Sequence, residues 1–299
     1  MAIEPLRLSS RQRNALLPYL FVAPGLIYYL AFTVGPVFVT IVFSFFKWRF
    51  FLPTTEFAGL SNFEYVLKDH LYWKSLSNNL AFLGMAVVIP VSIGLILAVL
   101  IRDLPKGRTT FRALLFLPCI FSGVVISFTW KWIYHPFVGL LNGVLKAIGL
   151  SALQQSWLGD PRIALLSVFV AYAWASFGFS MVIYLAGLQN IGEECYEAAD
   201  LEGATFFQRL FKITIPMLRE TTTFVISLRI LTSMGIFDIV YNLTGGGPFY
   251  GTYVISIYTY EMLNTMQMSW GSAAATTNSL LITIMYVGFM RFRERKSWD

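Results

Sequence analysis

Six stretches of this chain are each largely apolar for about 20 residues or more: 15–46, 77–101, 111–132, 163–188, 221–241 and 268–290. About 20 such residues span the hydrocarbon layer of a bilayer as a helix. Backbone polar groups in lipid must be satisfied within the chain, and a helix does that locally. The fold class that follows is all-α, a polytopic membrane bundle of six transmembrane helices. Charged residues make up only 13% of the chain and hydrophobic ones 57%, against about 25% charged in a soluble domain. A soluble globule is excluded, and the size suits one membrane domain. The first run is the longest and holds Pro18, Pro24 and Pro36, so it either begins along the interface or kinks. It is too long for a signal-peptide core and lacks a small-x-small cleavage site.

Cations set the orientation. Arg7, Arg11 and Arg13 precede the first run. Arg102, Lys106, Arg108 and Arg112 follow the second. Arg209, Lys212 and Arg219 follow the fourth, and Arg291, Arg293, Arg295 and Lys296 follow the sixth. These alternate connections belong on one side, which places both termini in the cytoplasm. The opposite connections hold few cations, and none lies between Asn242 and Gln267. The net charge of +6 therefore flanks spans instead of forming one basic patch, which argues against nucleic acid as a partner. Cys119 lies in an apolar run and Cys195 in a polar connection, so a disulfide between them is not expected.

The connection between the fourth and fifth runs is patterned. Its segment 193–216 reads EECYEAADLEGATFFQRLFKITIP. Glu193, Glu194, Glu197, Asp200 and Glu202 crowd its first half, with Arg209 and Lys212 in its second, an order that suits a helix field. Gly203 permits a sharp change of direction, and Pro216 is expected to end the segment. Ala198, Ala199 and Ala204 are small enough for another surface to approach the backbone. A charged, two-part helical knob between membrane spans has the look of a docking element.

Glu197-Ala198-Ala199, then Gly203, then Ile213-Thr214-Ile215-Pro216, resembles the coupling loop of permease subunits of bacterial ABC importers. Further stretches resemble the carbohydrate-uptake branch of that family. They are Phe116-Leu117-Pro118 with Trp130-Lys131-Trp132 and Gly139-Leu140-Leu141-Asn142, then Trp157-Leu158-Gly159-Asp160-Pro161, and the segment FDIVYNLTGGGP from Phe237 to Pro248. The match covers roughly the last four-fifths of the chain in family order. The branch usually has Asp before the loop glycine, where this chain has Glu202. The large inserted outer domain of the maltose importer's larger permease is not present.

The resemblance implies an ABC importer type I permease fold and a bacterial inner-membrane location. It divides the chain into an N-terminus, first span and first outer loop (1–76), a permease core of five spans (77–290) with a coupling loop at 189–219, and a basic tail (291–299). It also implies the rest of a machine: a second permease subunit, two ATP-binding subunits and an extracytoplasmic solute-binding protein. The loop residues it assigns to ATPase coupling are Glu197, Ala198, Ala199, Asp200, Glu202, Gly203, Ala204 and Pro216. No cofactor is expected on this chain. ATP and Mg belong to the partner subunits, because the sequence has no GxxxxGK[ST] phosphate loop. The chain also lacks HExxH and CxxC, and its two histidines, His70 and His135, fall in outer regions. Neither a metal site nor a catalytic triad is expected.

Charges inside a bilayer are costly. Arg229 and Asp238 both fall in the fifth run. On an unbroken helix nine residues apart they would face opposite ways, roughly 13 Å apart along the axis. Each needs its own partner. Arg229 either bonds carbonyls or a facing subunit, or lines a pathway. Tyr184, Arg229, Ser233, Asp238, Tyr241 and Asn242 are the candidate pathway residues. Gly245-Gly246-Gly247-Pro248 is expected to form a flexible outer cap on the fifth span. The expected function is a permease subunit importing a sugar. The alternatives are a permease for glycerol 3-phosphate or another small polar solute, a secondary transporter, and a membrane-embedded enzyme, for which no catalytic constellation is visible.

Overall fold

The computed structural model describes residues 10–49 and 52–295. Arg7 and Lys296, two of the orienting cations, lie outside those residues, and the side chains of Arg11, Arg13 and Arg295 are likewise not described. Helix α1 (Ser10–Tyr29) leads through a π turn at Leu30–Val34 into α2 (Gly35–Ser44). Gly35 N–H reaches back to Leu30 O, and this widened turn carries the helix past Pro36, which has no N–H to give. The most apolar stretch of Pro18–Ser44 buries none of its residues in this chain.

The connection between the first and second spans is not a loop. Strands β1 (Phe46–Arg49) and β2 (Leu52–Phe57) pair antiparallel, followed by α3 (Ser61–Lys68). Ser269 pins the hairpin, accepting Trp48 N–H at 2.5 Å and donating to Phe46 O at 2.7 Å. Asn62 donates to Ser44 O and Phe46 O from below. The second span, α4 (His70–Arg102), starts seven residues before the apolar run does, because Asp69 caps it by accepting Leu71 N–H. At about 1.5 Å per residue its 33 residues reach about 50 Å, well beyond the hydrocarbon thickness.

Two of the six expected spans are broken. The third is α5 (Arg108–Phe116), a 3₁₀ turn at Leu117–Ile120 and α6 (Gly123–Ile133), bent by 95°. Pro118 cannot continue the α-helical ladder, Phe121 is extended, and Ser122 recaps the chain by accepting Val125 N–H. The connection after it forms α7 (Leu140–Ala147) before the unbroken fourth span α8 (Ala164–Gln189). Asn142 gathers that connection, donating to Pro136 O and Gln155 O and accepting Trp157 Nε1–H at 2.8 Å. In the same region the Arg162 guanidinium holds the Asp160 carboxyl down to about 2.

After α8 come α9 (Glu193–Leu201), α10 (Phe206–Arg209), a second π turn at Leu210–Thr214 and α11 (Ile215–Met217). The fifth span follows as α12 (Arg219–Met234) and α13 (Asp238–Thr244), bent by 44°. Then come α14 (Ile255–Asn264) and the last span, α15 (Met268–Arg295). Helix α14 is no surface cap: Val254, Ile255, Ile257 and Tyr258 are fully buried in the main core.

Small residues let the spans close up. A methyl on Gly94 of α4 would sit 2.5 Å from Ser180 Cβ of α8, so the two helices meet backbone to backbone. Arg219 and Arg293 each donate to the other's carbonyl at 2.9 Å, and Arg293 also reaches Thr223. This fastens the end of α15 beside the start of α12. The cation-rich 102–108 connection, the 193–217 knob and the end of α15 therefore share one side of the bundle.

Candidate functional site: a docking knob and a double break

The knob is built by local rules. Glu193 and Glu194 sit in the first turn of α9, where a helix favours negative charge. The helix closes with Gly203 N–H on Asp200 O and Ala204 N–H on Ala199 O. That pair is a Schellman ending, which requires a left-handed residue, and Gly203 has φ +74°. Helix α10 restarts at once with a capping box: Thr205 Oγ1 accepts Gln208 N–H, and Gln208 Oε1 accepts Thr205 N–H at 2.7 Å. Across this turn Arg209 donates to Asp200 at 2.7 Å.

Tyr196 roots the knob in the bundle. Its hydroxyl bonds Thr214 Oγ1 at 3.1 Å, and the Arg102 guanidinium lies 3.8 Å over its ring. Ala199 is buried in this chain, so of the small residues only Ala198 is fully open, with Ala204 half-buried. Glu197 and Glu202 are exposed. Pro216 does not end the segment as expected. It sits at the start of α11 after the π turn, in the same arrangement as Pro36. The sequence reading also missed the tip: Leu201 is 91% exposed, Phe207 67% and Phe211 62%. Large apolar side chains standing out of a charged knob mark a surface that another protein covers.

The six candidate pathway residues divide into two groups. Tyr184, Arg229 and Ser233 are buried struts. Tyr184 donates to Thr222 Oγ1, and Ser233 donates to Arg229 O. Arg229 donates to Ser180 Oγ at 2.7 Å, Ser176 O at 2.8 Å and the Tyr172 hydroxyl at 3.3 Å. Its partners are thus hydroxyls and a carbonyl of α8, and it ties the fourth span to the fifth.

Asp238, Tyr241 and Asn242 lie on α13, beyond the break. The helix is interrupted between Met234 and Asp238, so the face relation expected for an unbroken helix does not apply. Asp238 stands at the first turn of α13 and packs on Gly123 at the first turn of α6; a methyl on Gly123 would lie 2.9 Å from Asp238 Cβ. The break in the third span and the break in the fifth therefore meet, with one exposed carboxylate at the junction of two helix N-termini. Tyr241 stacks on Phe237 at 5.0 Å between centroids, and Tyr260 packs against both. Asn242 donates to Asp238 O and, through its own carbonyl, accepts Lys131 Nζ–H at 3.3 Å. The result is a partly exposed aromatic cluster flanked by a carboxylate and an ammonium.

What holds this break open was missed by the sequence reading. Asn79 of α4 donates to Ser233 O and Met234 O, two of the last carbonyls of α12. Its neighbour Asn78 donates to Tyr250 O and Tyr253 O. Ser256 donates to Ile236 O inside the break. The visible signal was two consecutive asparagines in an apolar run, where polar groups are rarely idle. The glycine-rich segment is tightly fastened, not a flexible cap. Gly245 and Gly246 supply φ of +59° and +90°, and the buried Thr252 hydroxyl bonds Thr244 Oγ1 and Gly247 O. Among the described residues no group of His, Cys, Asp and Glu could hold a metal ion.

Comparison with known proteins agrees with this architecture. Residues 90–298 match the family described as binding-protein-dependent transport system inner membrane component. The chain is 36% identical over 274 residues to a probable ABC transporter permease protein, YurN, of Bacillus subtilis, covering 91% of this chain and 94% of that one. It is 33% identical to the trehalose/maltose transport system permease protein MalF of Thermococcus litoralis, covering 95% and 96%. In three dimensions it is similar to a chain of a bacterial alginate ABC transporter in complex with an alginate pentasaccharide-bound periplasmic protein. The TM-score is 0.84 at 22% identity, over 97% of this chain and 98% of that one.

Proposed function

The chain belongs to the family of binding-protein-dependent transport system inner membrane components, and on that footing we propose that it conducts a sugar inward as one permease of an ATP-driven importer. Its partners in this reading are a second permease, two ATP-binding subunits and an extracytoplasmic solute-binding protein. The knob side faces the cytoplasm, with both termini, in keeping with the cations gathered there.

The observation that supports the reading most is the knob itself. It is a rigid two-helix wedge, clamped by Asp200 and Arg209 around Gly203, with Leu201, Phe207 and Phe211 exposed at its tip. An ATP-binding subunit seated on that tip moves the wedge as a body. The Tyr196 contacts pass the motion to Arg102 at the end of α4 and to Thr214 below α12. The partners bind ATP with Mg and hydrolyse the ATP, and this chain holds no cofactor. The broken spans give the pathway its polar lining, since irregular backbone at membrane depth is tolerated where it borders protein or a water-filled cavity. Tyr241 and Tyr260, backed by Phe237, offer ring surface to the C–H face of a sugar, and Asp238 accepts from its hydroxyls. Alternating access then tilts this surface from the outer to the inner side.

The test is reconstitution of the assembled importer in proteoliposomes, with uptake of labelled di- and oligosaccharides measured in the presence of the binding protein. Uptake that requires ATP on the knob side and binding protein on the other supports the reading. Uptake without ATP at a constant ion gradient makes the chain a secondary transporter. Uptake of glycerol 3-phosphate in place of sugars changes the solute class alone.

A further inference from the structure

At the knob side, the end of α4, the start of α5, the end of α8 and the start of α9 line an open cavity of about 290 Å³. Its wall holds Arg102, Arg108 and Arg112 against one acid, Glu193, with Thr109 and Gln189 as further polar groups. Arg108 and Arg112 are four residues apart on α5, so they share a face and repel one another unless an anion lies between them. Among the described residues none of the three arginines forms an ion pair. Arg102 is partly engaged by the Tyr196 ring, and Arg108 Nε by Leu104 O at 2.6 Å. The terminal nitrogens of Arg108 and the whole head of Arg112 have no partner among the described residues.

The level of the cavity matters. It lies where three spans leave the apolar layer: α4 ends at Arg102, α5 begins at Arg108 and α8 ends at Gln189. Leu100, Phe111 and Leu114, each half or more exposed, stand on the adjoining turns. A cationic hollow bordered by open apolar side chains is complementary to a molecule with an anionic head and a hydrocarbon tail. Cations scattered around a membrane protein's rim stay hydrated and only raise the local lipid concentration. Three guanidinium groups lining one concavity can instead grip a phosphate through paired N–H donors.

We propose that this cavity binds a phosphate group, supplied by an acidic phospholipid of the adjacent leaflet. Glu193 is the first residue of α9 and Arg102 contacts Tyr196, so the bound head group sits against the root of the docking knob. The proposal depends neither on the transported solute nor on the direction of insertion.

The assembled importer in detergent is titrated with short-chain phosphatidylglycerol, phosphatidylcholine and inorganic phosphate, and bound copies are counted by native mass spectrometry. The variants are Arg108→Gln/Arg112→Gln and, as a charge-matched control, Lys212→Gln/Arg291→Gln. The wild type is expected to hold one phosphatidylglycerol that the arginine variant binds roughly thirtyfold more weakly, at about 1 kcal/mol per cation. The control should keep the wild-type affinity, and phosphatidylcholine should not bind there. Both arginines are exposed, so the variant should assemble; Arg112→Gln alone, with a roughly fivefold loss, serves if it does not. Equal binding by wild type and arginine variant overturns the site. An equal loss in the control reduces it to general surface charge. Inorganic phosphate bound as tightly as phosphatidylglycerol, and lost in the arginine variant, keeps the phosphate site but overturns the lipid source.

Discussion

Asn79 and Ile255 are 176 residues apart in the chain, yet Asn79 Oδ1 accepts the Ile255 N–H at 2.8 Å. The same side chain donates to the last carbonyls of α12. One amide thus serves the end of one helix and the start of another, and it fixes where the fifth span breaks. Asn79→Leu is close in size but leaves the buried Ile255 N–H and the Met234 carbonyl unpaired. Each such group costs about 1–3 kcal/mol, so a clear fall in the melting temperature of the purified complex is expected. A melting curve that matches wild type would remove Asn79 from this role.

Gly203 tests the knob. A methyl there meets nothing within 4 Å, so any cost comes from the backbone, not from a clash. Asn tolerates the left-handed conformation, whereas a β-branched residue does not. Gly203→Asn should keep most ATP-coupled uptake. Gly203→Val should insert normally yet lose coupling to, or association with, the ATP-binding subunits. Equal uptake by the two variants would separate the Schellman turn from function.

The Asp200–Arg209 pair is partly exposed, and such pairs contribute only about 0.2–1 kcal/mol. Asp200→Asn should therefore leave thermal stability nearly unchanged. If the pair sets the angle between α9 and α10, coupling should fall instead, and exchange of the two charges (Asp200→Arg/Arg209→Asp) should partly restore it. Uptake measured per complex across this cycle decides the matter. Additive losses would show that the two side chains act separately.

At the double break, Tyr241→Ala removes a ring face while Tyr241→Phe retains it. The half-saturating solute concentration should rise for the first and stay near wild type for the second. Asp238→Asn keeps the packing on Gly123 but removes the charge. A hydrogen bond to a charged group is worth about 1.5–3 kcal/mol, so a role in solute contact should raise half-saturation at least tenfold with assembly intact. If Asp238 serves to pin the helix junction, assembly or ATP coupling should suffer instead. An Asp238→Asn complex unchanged in uptake, assembly and coupling excludes both roles.

Much of this protein was legible from local chemistry. All six apolar runs became helical, four as helices long and apolar enough to cross a membrane and two as helix pairs bent by 95° and 44°, because in lipid a chain must satisfy its own backbone within the run. The knob was legible for the same reason. Acids early, a glycine in the middle and bases late are interactions between near neighbours, and the Schellman ending at Gly203 and the capping box at Thr205 need no distant partner. What the sequence did not determine depends on residues far apart in the chain. Pro118 permits a break, but whether a run bends by 95° or 44° depends on which groups receive the freed carbonyls and amides. Asn79, from another helix, is one of them. Arg229 read as a charge that could line a pathway, and only the packing of α8 against α12 surrounded it with Tyr172, Ser176 and Ser180. The glycine-rich cap read as loose because flexibility is what glycine offers in isolation. In the fold Gly245 and Gly246 provide left-handed turns, and Thr252, Tyr253 and the buried first turn of α14 hold the segment still. Hydropathy and capping act over a few residues and are therefore written in the chain; the meeting of the two breaks at Gly123 and Asp238 exists only once the helices have packed.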